Sequence, residues 1–202
     1  MPKGVRGATA GARFIGRHLM LKGKYGEAVL RGEKVTTIRR GVVKPKYEEI
    51  ILHWGGRPAA IARITAVRYK KLFELSDEDA RKDGFNSREE LIREIKSVYR
   101  GVRPDEVFTI IEFQVLKRLD ELDLGEPYGG LRPQDLARIV LRCCREKLSD
   151  EEAKVLLELT RTGSIRATAI KLYGNPSKRQ VIRRILKKWY EQLIKMGIIG
   201  VK

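Results

Sequence analysis

Gly32-Glu33-Lys34-Val35-Thr36-Thr37-Ile38-Arg39 places a flexible glycine, a lysine, two hydroxyls and an arginine within eight residues. That is the chemistry of a wall that holds an anion or a nucleotide. The run from Lys34 to Arg39 is also strand-forming, with β-branched residues through its centre and side chains alternating between two faces. Lys34, Thr36 and Ile38 are expected on one face, and Val35, Thr37 and Arg39 on the other. Read alone, the stretch equally makes an ordinary barrel strand with a solvated polar side, so the segments around it have to decide.

Upstream, residues 13–20 (RFIGRHLM) predict a first strand, and residues 22–31 a short helix with Tyr25, Ala28, Val29 and Leu30 available to a core. Gly32 is placed to end that helix in a left-handed conformation, which positions Lys34. Downstream, after a connection at 41–46, residues 48–54 predict a third strand. Gly55-Gly56-Arg57-Pro58 turns into a long fourth strand at 59–72, making a hairpin. Ser76-Asp77-Glu78-Asp79 and Ser87-Arg88-Glu89-Glu90 each set an acid three residues after a serine, the signature of a capped helix start. Asp83-Gly84-Phe85 separates these two helices. The second runs to about Tyr99 with Leu91, Ile92, Ile95 and Val98 at helical spacing, and residues 107–116 read as a buried closing strand. Five or six strands with three helices predict a small, mostly antiparallel barrel decorated at one end.

In order and spacing, residues 13–118 resemble the ASCH domain, a branch of the PUA-like barrels. The hallmark is a Gly-x-Lys-x-x-x-x-Arg strand after a first short helix, here Gly32, Lys34 and Arg39. The opening at 14–20, the helix start at 75–80, the Gly84-Phe85 turn and the Ile111-Glu112-Phe113 closing strand also agree. The resemblance implies a cleft lined by the motif Lys and Arg that binds RNA or modified nucleosides. Some families of this type are amidohydrolases of acetylated cytidine, and others are linked to RNA cleavage. In the amidohydrolase pattern the working groups are the motif Lys, a Thr three residues on, and a Glu just after the alanine of the following helix. On this chain those positions are Lys34, Thr37 and Asp83. The carboxylate is one methylene shorter than the pattern asks, which matters because proton transfer needs hydrogen-bond reach.

The residues themselves leave two roles for Lys34. It is either a desolvated base activating Thr37 or a charged group holding a phosphate, and the second needs no tuning. Arg39 offers a fork to phosphate or a base edge, Thr36 or Thr37 a neutral hydrogen bond, and Arg40 a further cation. Taken without the resemblance, Asp83 is a helix-end carboxylate expected in solvent. His18 and His53 are isolated on strand patterns and read as structural, and no metal-ligand spacing exists.

A chain of 202 residues that is 42% hydrophobic can bury real cores in one large or two small domains. No apolar run spans a bilayer and the start lacks a signal-peptide centre, so a cytoplasmic location is expected. Cys143 and Cys144 are adjacent in a helical pattern, which excludes a disulfide framework. A charged fraction of 34% with two Asn leans toward the composition of proteins from hot environments. The net charge of +17 is clustered: residues 1–46 hold 12 Lys/Arg against 2 Asp/Glu, and residues 161–202 hold 11 against 1. Clustering of this kind attracts polyanions, and nucleic acid is the expected partner in preference to a membrane.

Residues 131–202 read as four helices. Arg132-Pro133 opens the first, Ser149 with Glu152 caps the second, Gly163 stops it, and residues 165–173 make a short third. After Gly174-Asn175-Pro176 a long helix is expected from Ser177 to about Met196. Its apolar stripe is Val181, Ile182, Ile185, Leu186, Trp189, Tyr190, Leu193 and Ile194. Helix, short helix with central Ala169, glycine turn and basic helix resembles a helix-turn-helix. Ser177, Lys178, Arg179, Gln180, Arg183, Arg184 and Lys187 are then the groove-facing candidates; a basic but merely solvated bundle is the alternative.

The expected architecture is α+β. It has a basic leader (1–12), an ASCH/PUA-like barrel (13–120), a linker (121–130) and a helix-turn-helix-like domain (131–202). The expected function is binding of RNA or DNA without a cofactor. A hydrolase of a modified nucleoside or of RNA, and a ribosome- or transcription-associated adaptor, are the alternatives.

Overall fold

The computed structural model describes residues 11–202, so residues 1–10 of the expected leader lie outside the described residues. Two compact units divide the chain. The first runs to Gly56 and from Ala60 to Arg118, and the second is Leu119–Lys202 with Arg57–Ala59.

In the first unit the strands are β1 (Arg13–Ile15), β2 (His18–Leu21), β3 (Thr36–Arg40), β4 (Val43–Pro45), β5 (Glu49–Trp54), β6 (Arg57–Lys71) and β7 (Val107–Arg118). Three helices join them: α1 (Gly26–Leu30), α2 (Asp77–Lys82) and α3 (Arg88–Val98). Five strands form one curled, mostly antiparallel half-barrel in the order β2-β5-β6-β7-β3, while β1 and β4 pair as a separate ribbon. β7 is antiparallel to both β3 and β6, and β2 is parallel to β5. Register shifts between Ile61/Ala62 and Ile64/Ala66 bend the long β6, as bulges do, and so curl the sheet. The curl leaves β2 and β3 as its two edges.

Local signals made these elements. The Ser76 side chain accepts from the Asp79 N–H in a full capping box, and Ser87 accepts from the Glu90 N–H. Leu72, Leu75, Ala80, Phe85, Leu91, Ile95, Phe108 and Ile110 make one core cluster. Leu19, Val29, Ile50, Leu52, Ala60, Ala62 and Phe113 make a second. The expected first strand at 13–20 is instead two strands broken at Gly16 and Arg17, one serving the ribbon and the other the half-barrel. The 41–46 connection contains β4, which is too short, and ends in a proline, to read as a strand. Among the described residues seven strands therefore stand where five or six were expected. The motif strand starts only at Thr36, so Lys34 precedes it and the expected alternation from Lys34 does not hold.

The second unit contains α4 (Pro133–Cys143), α5 (Asp150–Thr162), α6 (Ile165–Tyr173) and α7 (Arg179–Lys195). α4 packs on α5 and α7, and α6 packs on α5 and α7. Leu136, Ile139, Val140, Leu156, Leu159, Ala169, Ile182, Leu186 and Leu193 are fully buried between them. Ser149 and Glu152 form the expected capping box, and Gly163 and Gly174 end their helices in the left-handed conformation. Leu119, just before the expected linker at 121–130, and Leu122, within it, are buried. α7 starts two residues later than expected, because a 3-10 turn over Pro176–Lys178 precedes it. Cys144 is buried and Cys143 partly so.

Candidate nucleic-acid interface

Lys34 is placed by backbone bonds on both sides of it. The Glu33 and Lys34 N–H groups both donate to the Ala28 carbonyl at the end of α1, and Val35 N–H donates to the Lys82 carbonyl at the end of α2. Gly32 (φ +74°) makes the reversal between α1 and Lys34. Asp83 caps α2, and Gly84 follows at φ +87° with its α-carbon against the Lys34 stem. A Cβ at Gly84 would sit 3.3 Å from that of Lys34, so glycine lets the two segments close together.

The result is a buried ion pair. Lys34 Nζ lies 2.8 Å from Asp83 Oδ1 and donates to the Asp83 carbonyl at 2.7 Å, with the lysine side chain 2% and the aspartate 8% exposed. Thr36 Oγ1 donates to the same Oδ1 at 3.2 Å. Tyr25 adds its ring face 4.7 Å from the ammonium. Burial pulls Lys34 below the usual lysine range and pushes Asp83 above the usual carboxylate range. Both shifts favour the neutral forms. The expectation of a solvated Asp83 is therefore corrected: the bond from Val35 to the end of α2 draws that helix end inward. The shorter carboxylate also reaches the lysine directly. Nor does Lys34 present an uncommitted charge to phosphate, since Asp83 already takes it up.

Above this pair lies a cleft of about 310 Å³ at the seam between β2 and β3. Thr37, Ile38 and Arg39 come from one edge, Met20 and Leu21 from the other, and α3 closes the side. The Arg39 guanidinium donates to the Met20 carbonyl across the seam, and burial lowers its pKa. Glu94 on α3 accepts from Lys22 at 2.6 Å, Lys24 at 3.0 Å and the Tyr25 hydroxyl at 3.0 Å. Those donors hold its carboxyl down at about 2, and Tyr25 is raised, first by burial and then by the bond to Glu94. Lys22 and Lys24 thus share one carboxylate and keep a net charge of about +1 between them, while Arg39 is the lining cation without a carboxylate ion pair among the described residues.

Of the residues singled out by sequence, Lys34, Thr37, Asp83 and Arg39 meet at this cleft. Thr36 lies beneath it and orients Asp83. Arg40 does not reach it: its guanidinium pairs with Glu106 at 2.5 and 3.1 Å. Tyr25, Glu94, Phe85 and Tyr99 also line it, although sequence reasoning did not assign them there. The available signal was Glu94 interrupting the Leu91, Ile95 and Val98 stripe. His18 Nδ1 and His53 Nε2 contact each other at 2.8 Å away from the cleft. Among the described residues no group of three His, Cys, Asp or Glu could hold a metal ion.

In the second unit Ser177, Lys178, Arg179, Gln180, Arg183, Arg184 and Lys187 are all exposed at the start of α7 and along its outer face. None of these cations has a carboxylate ion pair among the described residues, whereas Lys188 is paired to Glu152 at 2.7 Å. No helix among the described residues is long and apolar enough to cross a membrane.

A family model described as the ASCH domain matches residues 12–117. No curated protein matches the chain. Among solved structures, the chain is similar to a protein from Enterococcus faecalis V583, with 24% identity, a TM-score of 0.41, and coverage of 48% of this chain and 69% of that one. It is also similar to an ASCH domain from Lactobacillus crispatus JV V101, with 20% identity, a TM-score of 0.38, and coverage of 51% and 79%. An ASCH protein from Zymomonas mobilis matches at 14% identity and a TM-score of 0.42, covering 52% and 71%.

Proposed function

The chain belongs to the ASCH domain family, and on that premise we propose that it binds nucleic acid, taking one unpaired nucleotide into the cleft and a phosphate backbone along α7. ASCH domains are generally linked to RNA binding. The observation that carries the reading is the cleft itself, about 310 Å³, with Tyr25, Phe85 and Tyr99 for a base and Arg39 for an anion. It sits at the small end of small-ligand pockets, roughly 300–1,000 Å³, which suits one nucleoside and not a duplex. The clustered charge supplies the polyelectrolyte attraction. Sequence-specific RNA recognition mostly uses bases splayed out of a strand. The helical unit supports a helix-turn-helix-like role, with Gln180 and Arg183 available to base edges and the other exposed cations to phosphates.

Binding of fluorescein-labelled RNA is expected to weaken steeply as salt rises from low to physiological levels. Arg39→Ala is expected to weaken it by about tenfold at fixed salt, the value of one charge-assisted hydrogen bond. Affinity indifferent to both salt and Arg39→Ala would remove the reading.

A second reading, a nucleoside amidohydrolase, is favoured by the convergence of Lys34, Thr37 and Asp83. Burial lowers the lysine pKa toward the neutral amine that a base must be, and Asp83 is within direct reach of it. Thr37 then supplies the nucleophilic or orienting hydroxyl. Incubation with 4-acetylcytidine tests this: the wild-type chain should release cytidine and acetate, and Lys34→Ala should release neither. Absence of Lys34-dependent product leaves binding alone.

A further inference from the structure

The β1/β4 ribbon carries aromatic rings on its outside. Phe14 is 58% exposed, its register partner is Lys44, and the Lys46 ammonium stands 5.5 Å from its ring centroid. Just beyond the ribbon, Tyr47 is 42% exposed with the Arg17 guanidinium 3.9 Å from its ring centroid. Residues 11–24 and 34–47, which include the ribbon, β2 and β3, contain nine Lys/Arg and no Asp or Glu. β1 runs into β2 through Gly16-Arg17 and β3 runs into β4 through Gly41-Val42, so the ribbon adjoins the two strands that wall the cleft.

Neither ring is a member of the two core clusters described above. Of the nine Lys/Arg, Lys22, Lys24, Lys34 and Arg40 are paired to carboxylates, but Arg13, Lys44 and Lys46 have no carboxylate ion pair among the described residues, and an exposed ring flanked by such cations suits a partner that is both anionic and π-faced. Nucleic acid has both properties, and only unpaired bases offer their faces, because a duplex buries them in its own stack.

We propose that the β1/β4 ribbon is a stacking platform for single-stranded nucleic acid, with Phe14 and Tyr47 receiving base faces and Arg13, Lys44 and Lys46 the phosphates next to the nucleotide in the cleft. The proposal rests on the nucleic-acid reading above and adds strandedness to it.

The test is fluorescence anisotropy on the full chain at low salt, with a short labelled RNA of non-self-pairing sequence and with the same RNA annealed to its complement. Phe14→Ala should weaken single-strand binding by about five- to a hundredfold, the range for losing one base stack. Duplex affinity should change by less than about twofold, and Phe14→Trp should restore single-strand binding. Because the ring is exposed, the thermal midpoint should not move. Equal loss on single strand and duplex, or no loss on either, overturns the platform. So does Phe14-dependent binding to phosphatidylserine vesicles with RNA binding unchanged. Arg39→Ala separates the two ideas. A Phe14 effect with a silent Arg39→Ala supports the platform and removes the cleft reading, and the reverse pattern removes the platform alone.

Discussion

Asp83→Ala should destabilise the first unit by about 3–5 kcal/mol, because it leaves the Lys34 ammonium buried without its counter-charge. The loss should appear as a lower urea midpoint in an unfolding curve followed by fluorescence. The pair is enclosed, with the lysine 2% exposed, so water cannot take over the missing interaction. Thr36 also loses its acceptor. Combining Asp83→Ala with Lys34→Met should recover most of the loss, since an apolar side chain of similar length needs no partner. That non-additivity is the signature of one interaction unit, and it distinguishes the pair from two independent polar residues. An Asp83→Ala chain that unfolds at the wild-type midpoint would show that Lys34 and Asp83 are not coupled.

The second large effect is expected on α7. Arg183→Ala/Arg184→Ala/Lys187→Ala should lower affinity for nucleic acid by about a hundredfold at physiological salt and flatten the log–log salt slope by about 2–3. On the proposed reading each of the three would release one counterion, and all three are exposed, so the fold should be untouched. The phosphate share of the loss is sequence-independent and should fall on mixed-sequence and defined ligands alike, whereas any excess loss on one defined sequence would report Arg183 at a base edge. An unchanged salt slope would instead favour the adaptor alternative, in which this surface meets a protein. The comparison is sharp because Lys188, one position along, is already paired to Glu152 and should be nearly silent when replaced.

What was legible in the chain was what depends on near neighbours. Ser76 with Asp79 and Ser149 with Glu152 announce helix starts because both bonds close within three residues. Gly32, Gly163 and Gly174 mark reversals for an equally local reason. The α7 stripe was readable because Ile182, Leu186, Trp189 and Leu193 repeat at helical period and all become buried. The site was legible only as far as its motif. Lys34, Thr37 and Arg39 were found within one stretch, whereas burial of Asp83 depends on the end of α2 docking on Val35. Tyr25 and Glu94 meet across 69 residues, and nothing local to either announces it. Of the ribbon, β1 was legible only as the start of one longer strand and β4 not at all, because three-residue strands carry no period and only pairing defines them.

The strand order has a consequence for motion. β6 and β7 are held by ladders on both sides, but β2 and β3, the two edges that wall the cleft, are each held on one side only. Among the described residues no ladder joins β2 to β3; the Arg39 guanidinium bridges them at the Met20 carbonyl, and the β1/β4 ribbon ties the same two segments beyond it. An edge strand held on one side opens at lower cost than a strand held on both, so this seam is the part of the sheet expected to yield first, with β6 and β7 behind it fixed. On the proposed reading Arg39 is a latch as well as a contact: a ligand anion that claims its guanidinium would release the Met20 carbonyl in the act of occupying the cleft.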